Sequence, residues 1–173
     1  MEKGAENPEP CRERRTGSLR LSGVWNAYDK EKGEYHTMKK IESGSLAVML
    51  DEETLGLRIE KDGVVWNTDP KKTPELIFAE GTYRFLDAEE ISHEVYSFGV
   101  GCGIRSRYAG FAGTPYAFET IIWIEAVDET FWMEWIPLCE EGLHPVKVLW
   151  PTAMEFTNGR DDWYTLLTEG QGL

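Results

Sequence analysis

The stretch AFETIIWIEAVDETFWMEWI, residues 117–136, decides the fold. It reads as two long strands joined by a tight turn at Val127-Asp128-Glu129, where charged residues interrupt the apolar runs. Successive side chains of a strand point to opposite faces of its sheet. Phe118, Thr120, Ile122 and Ile124 therefore share one face of the first strand, and Glu119, Ile121, Trp123 and Glu125 the other. In the second strand Phe131, Met133 and Trp135 oppose Trp132, Glu134 and Ile136. The apolar sets turn inward, which leaves a face carrying Glu119, Trp123, Glu125, Trp132 and Glu134.

Working outward, the same texture runs from Tyr35 onward: short apolar stretches bounded by Gly, Pro, Asp and Asn. The predicted strands are 35–42, 45–50, 54–60, 64–67, 82–86, 91–98, 104–111, 117–126, 130–136, 146–150, 154–157 and 163–167. Lys61-Asp62-Gly63, set between the alternating Leu55, Leu57, Ile59 and the run Val64-Val65-Trp66, predicts a hairpin through the Asp-Gly pair. Only Asp51-Glu52-Glu53 and Asp87-Ala88-Glu89-Glu90 look helical, each about one turn long, and no window keeps the spacing of an amphipathic helix. The expected fold is all-β, an antiparallel β-sandwich. Ile121 or Ile122, Phe131 or Trp132, Trp135 and Trp150 are expected in or near its core.

Composition bounds what such a domain can do. The 173 residues include 31 acids and 18 Lys or Arg, a formal charge of −13. Residues 21–173 alone hold 13 cations against 27 acids, so the folded part lacks the basic face that nucleic acid requires. No apolar run approaches the roughly 18 residues of a membrane span, and no signal-peptide core is present near the N-terminus, so the reading is no nucleic acid, no membrane and a cytoplasmic location. Residues 1–20, charged and with a single leucine, read as a flexible tail, and 21–173 as one β-sandwich domain. Cys11, Cys102 and Cys139 frame neither a disulfide scaffold nor a zinc site, and Cys102 and Cys139 read as small core residues.

The face with Trp123 and Trp132 beside Glu119 and Glu134 has the chemistry of sugar recognition: an indole stacks on the C–H face of a pyranose while hydroxyls donate to carboxylates. The competing reading covers these tryptophans with another layer or domain, since Trp is mostly buried. Arg105 and Arg107 fall on one face of a strand, opposite Ile104, Ser106 and Tyr108, and are counted with Trp123, Trp132, Glu119 and Glu134 as expected carbohydrate-contacting residues; as a pair they either bind an anion or engage neighbouring glutamates. Gly99-Val100-Gly101-Cys102-Gly103 is followed by a strand, not a helix, and reads as a bulged turn rather than a phosphate loop. His36, His93 and His144 are too dispersed for a metal site, and no cofactor motif is present. His93 with Glu119 or Glu134 would be the acid–base pair of an aldose epimerase-like enzyme, the alternative from a different functional class.

The C-terminal third also carries a resemblance. Phe118-Glu119-Thr120-Ile121-Ile122-Trp123-Ile124, Met133-Glu134-Trp135-Ile136-Pro137-Leu138, Val148-Leu149-Trp150-Pro151, and Asp162-Trp163-Tyr164-Thr165-Leu166-Leu167 with Gln171-Gly172-Leu173 resemble the N-terminal sandwich of bacterial glycoside hydrolases related to the endo-α-N-acetylgalactosaminidase class, families 101 and 129. Leu50 to Leu57 followed by Gly63-Val64-Val65-Trp66 resembles the opening hairpin of that module, so the likeness spans about Ser45 to Leu173. It implies a galactose-mutarotase-like supersandwich, whole or incomplete in this chain, ahead of a (β/α)₈ barrel that bears the catalytic carboxylates. No catalytic residue is carried over onto this chain, and the implied role is an accessory, carbohydrate-associated domain whose partner is carbohydrate or a following catalytic domain. Exposed aromatics on a sandwich parted from such a neighbour would drive homodimerisation.

Overall fold

The computed structural model describes residues 19–29, 34–69 and 71–157, with side chains over 37–69 and 71–154. The strands are β1 (Leu19–Asp29), β2 (Glu34–Ser43), β3 (Leu46–Asp51), β4 (Leu57–Lys61), β5 (Val64–Thr68), β6 (Glu75–Ile77), β7 (Thr82–Arg84), β8 (Glu90–Phe98), β9 (Gly101–Phe111), β10 (Thr114–Glu125), β11 (Thr130–Cys139), β12 (Lys147–Leu149) and β13 (Met154–Thr157). They form three antiparallel sheets in the orders β1-β2-β3-β4-β5-β13, β11-β10-β9-β8 and β12-β6-β7. The fold is an antiparallel β-sandwich, and a 3₁₀ turn at Phe85–Asp87 is the one helical element among the described residues.

The β8–β11 sheet is one layer, and its inner face is covered by the other two sheets in succession. Cys102, Ile104, Ile122 and Ile124 meet Ile41, Leu46, Val48, Leu50, Leu57 and Ile59 of the six-stranded sheet. Further along the same strands, Tyr108, Phe111, Tyr116 and Phe118 meet Leu76, Phe78 and Phe85 beside the three-stranded sheet. Phe118 has Phe85 and Tyr108 at ring-centroid distances of 4.7 and 4.8 Å. The expected core is observed: Ile122 is buried, and Phe131, Trp135 and Trp150 pack against the two clusters.

Local chemistry explains the turns. Asp62 and Gly63 take positive φ values of 51° and 80°, so Lys61 pairs with Val64 across a two-residue hairpin. The β10–β11 turn is clamped from outside, with the Glu129 carboxylate accepting from Ser45 Oγ at 2.8 Å and its carbonyl accepting from Lys61 Nζ at 3.1 Å. A side chain at Gly44 would collide with that carboxylate.

Several expectations need correction. Asp51-Glu52-Glu53 is a turn, because the Asp51 carboxylate accepts from the amides of Glu53 and Thr54 and competes with helix formation. Asp87 closes the 3₁₀ turn, and Glu90 already belongs to β8. Two strands had no sequence counterpart: β1, whose alternation is broken by a bulge between Ser22 and Val24, and β6, only three residues long. β1 opens at Leu19, two residues inside the segment read as a tail. Residues 1–18 and the expected strand at 163–167 lie outside the described residues. Cys102 is buried as expected, whereas Cys139 is only half-buried at the end of the edge strand β11.

Candidate functional site

The outer face of the β8–β11 sheet gathers the chemistry singled out in the sequence. Register places Tyr96, Gly103, Trp123 and Trp132 in one row across the four strands, and Glu94, Arg105, Ile121 and Glu134 in the next. A third row holds Ser92, Arg107, Glu119 and Ile136. All six expected site residues, Trp123, Trp132, Glu119, Glu134, Arg105 and Arg107, therefore share this face.

The two indoles are stacked, with centroids 5.8 Å apart and planes 16° from parallel. Trp132 stands on the edge strand of this sheet among the described residues and is 50% exposed, so ring surface remains open to solvent. Trp123 Nε1 donates to Glu134 Oε1 at 2.8 Å, which fixes both side chains. Phe98 meets Trp123 edge-on at 5.5 Å and stacks with Tyr96 at 5.6 Å, extending the aromatic surface onto β8.

Tyr96 and Phe98 were not recognised from sequence as members of this surface. Their signal is Gly101-x-Gly103 paired with Tyr96-x-Phe98 across the two-residue Gly99-Val100 turn. A Cβ at Gly103 would come within 2.6 Å of the Tyr96 ring, so the glycine lets the phenol lie over β9. The Gly99–Gly103 segment is thus a hairpin turn running into a strand, but without the expected bulge, since the pairing of β8 with β9 is continuous from Phe98 and Gly101 onward.

The two arginines differ. Arg105 reaches Glu94 at 3.1 Å and lies 3.8 Å from Glu119, while its guanidinium carbon sits 5.1 Å from the Tyr96 ring centre. Arg107 is exposed on β9 between Ser92 and Glu119, and no ion pair engages it among the described residues. A cavity of about 270 Å³ lies here, lined by Ser92, His93, Glu94, Arg105, Arg107 and Glu119. Two carboxylates beside two guanidiniums leave it electrically balanced, which suits a neutral polyhydroxylated ligand better than an anion.

Strand alternation separates His93 from the acids it would need. It is on the inner face, where Nδ1 meets Ser106 Oγ at 2.7 Å, whereas Glu119 and Glu134 face outward. The acid–base pair of an epimerase is not assembled. His144 is exposed in the β11–β12 connection, and the His36 side chain lies outside the described residues. Among the described residues no three His, Cys, Asp or Glu side chains converge as metal ligands, and no helix is long and apolar enough to cross a membrane.

Comparison with solved structures finds the α-N-acetylgalactosaminidase NagBb from Bifidobacterium bifidum in several forms. The chain is 37% identical to it in a Gal-NHAc-DNJ complex, with a TM-score of 0.65 over 68% of this chain and 19% of that one. For the GalNAc complex the values are 36% and 0.64, covering 68% and 18%. For the ligand-free form they are 36% and 0.63, covering 69% and 19%. The chain thus spans about a fifth of the length of the enzyme it resembles. No protein-family model matches the chain, nor does any curated protein.

Proposed function

We propose that the chain is the non-catalytic β-sandwich of a glycoside hydrolase of the α-N-acetylgalactosaminidase kind, and that the outer face of its β8–β11 sheet contacts carbohydrate. The observation that carries the first half is the 37% identity over 68% of this chain, set against only 19% of the enzyme. In this reading the sandwich is galactose-mutarotase-like and packs beside a catalytic barrel, to which the acid and base belong.

The second half rests on the row Tyr96, Trp123 and Trp132. Trp132 offers a half-exposed ring at the sheet edge, backed by Trp123, and Glu134 stands beside it as a fixed acceptor. A pyranose stacks its C–H face on the indole and donates a hydroxyl to the carboxylate. One aromatic contact is worth about 1 kcal/mol and each hydrogen bond about the same, so an isolated site binds no better than about millimolar.

Incubation of the purified chain with an aryl α-N-acetylgalactosaminide is expected to release no sugar. Steady turnover that Glu119→Gln abolishes contradicts the accessory role. The same exposed aromatics are expected to support weak self-association, read as a concentration-dependent elution volume in size-exclusion chromatography; a monomer at every concentration contradicts that consequence.

A further inference from the structure

The two guanidiniums of β9 are treated unequally by the same neighbours. Arg105 is held by Glu94 at 3.1 Å, lies 3.8 Å from Glu119 and sits 5.1 Å from the Tyr96 ring centre. Arg107, next on that face of the strand, has Ser92 of β8 and Glu119 of β10 as its cross-strand neighbours. The Glu119 carboxylate nevertheless turns toward Arg105, and among the described residues no ion pair or hydrogen bond engages Arg107. In a chain with 31 acids, an exposed arginine that stays unpaired with a glutamate opposite it keeps its whole fork of N–H donors available to a ligand.

Both arginines line the cavity of about 270 Å³ on this face, together with Ser92 and Glu119. Arg105 joins that cavity to the aromatic row, because it also lies over Tyr96, which register sets in line with Trp123 and Trp132. On its other side Arg107 lines a second cavity of about 390 Å³ with Ser92, Glu89 and Glu90. The outer face therefore runs from stacked rings to a polar recess that offers hydroxyl and guanidinium donors beside carboxylate acceptors. Trp132 and Arg107 stand two strands and two rows apart, which at the spacings of a sheet is roughly 17 Å. One pyranose stacked on Trp132 cannot span that distance, whereas a short oligosaccharide can.

We propose that the outer face takes an extended, neutral oligosaccharide, with one sugar stacked on Trp132 and a distal sugar seated in the cavity, where Arg107 donates to its hydroxyls and Glu119 accepts from them. This rests on the carbohydrate reading given above and adds to it a ligand length and a second subsite. The ligand is neutral because the cavity sets two carboxylates, Glu94 and Glu119, beside its two guanidiniums. Arg107 is the residue that makes the site longer than one sugar.

The test titrates the intact chain by NMR with N-acetylgalactosamine and with a linear neutral trisaccharide that carries it at the non-reducing end. Both are expected to shift the Trp132 indole N–H, but only the trisaccharide shifts the Ser92 amide and the Arg107 Nε–H. It binds at least about tenfold more tightly, the contribution of one hydrogen bond to a charged group. In Arg107→Ala the two affinities converge, and because that side chain pairs with nothing among the described residues, the substitution removes no contact of the fold. Equal affinities in the native chain, or a trisaccharide gain that survives in Arg107→Ala, overturn the distal subsite and leave the Trp132 contact standing. A sulfated form of the trisaccharide that binds more tightly than the neutral one overturns the ligand class. Unmoved signals with both sugars defeat the carbohydrate reading itself, and the extended site with it.

Discussion

The two faces of the β8–β11 sheet are built from alternate residues of the same strands, yet they are organised by different physics. On β10, Phe118, Ile122 and Ile124 are buried among apolar neighbours from two other sheets, while Glu119, Trp123 and Glu125 remain partly exposed, Trp123 donating to Glu134 and Glu119 lying 3.8 Å from Arg105. The inner face is held by removal of apolar surface from water. The outer face is a pre-ordered array of rings and ion pairs, on a side no sheet covers among the described residues. Stability and recognition are thereby separated by one step along the chain.

The separation predicts a graded series of variants. Phe118→Ala removes a ring stacked on Tyr108 at 4.8 Å in the packed interior and is expected to cost about 3–5 kcal/mol, read as a lowered urea midpoint. A cost under about 1 kcal/mol would mean that the two faces are not energetically distinct. Gly103→Ala drives a methyl into Tyr96 and is expected to cost about 1–3 kcal/mol, part of which a second change, Tyr96→Ala, restores. Absence of that rescue in a double-mutant cycle would deny that the glycine exists to seat the ring.

Trp132→Ala should lower stability by only about 1 kcal/mol, since half of the ring is already solvated, while eliminating carbohydrate contact at this face. Smallest of all, Glu94→Gln breaks an exposed pair with Arg105 and is expected to change stability by less than about 1 kcal/mol, with the difference vanishing in high salt. A larger, salt-resistant loss would show that the outer ion pairs carry structural weight.

Sequence pattern revealed the inner face more completely than the outer one. Alternation through residues 117–136 suffices to sort Phe118, Ile122 and Ile124 inward and Glu119, Trp123, Trp132 and Glu134 outward, because a period of two leaves no freedom once the strand is placed. It also paired Arg105 with Arg107 on one side of β9. It could not assign their different partners, since those depend on which residues of β8 and β10 lie opposite. Tyr96 and Phe98 escaped for the same reason: their place follows from the register set by the Gly99-Val100 turn. His93 was legible as a lone histidine, but its inward direction, opposite to that of Glu119, required the parity of β8. The bulge at Ser22/Val24 hid β1 by breaking the alternation that would have announced it.

The most direct test of the account follows the indole N–H signals of Trp123 and Trp132 by NMR as N-acetylgalactosamine is added to the purified chain at pH 7.5. The account predicts saturable shifts with an affinity on the order of millimolar, larger at Trp132 than at Trp123, whose N–H is held by Glu134. They are absent in Trp132→Ala. Unmoved signals at roughly 100 mM sugar, or shifts that survive in that variant, would contradict the assignment of the outer face to carbohydrate.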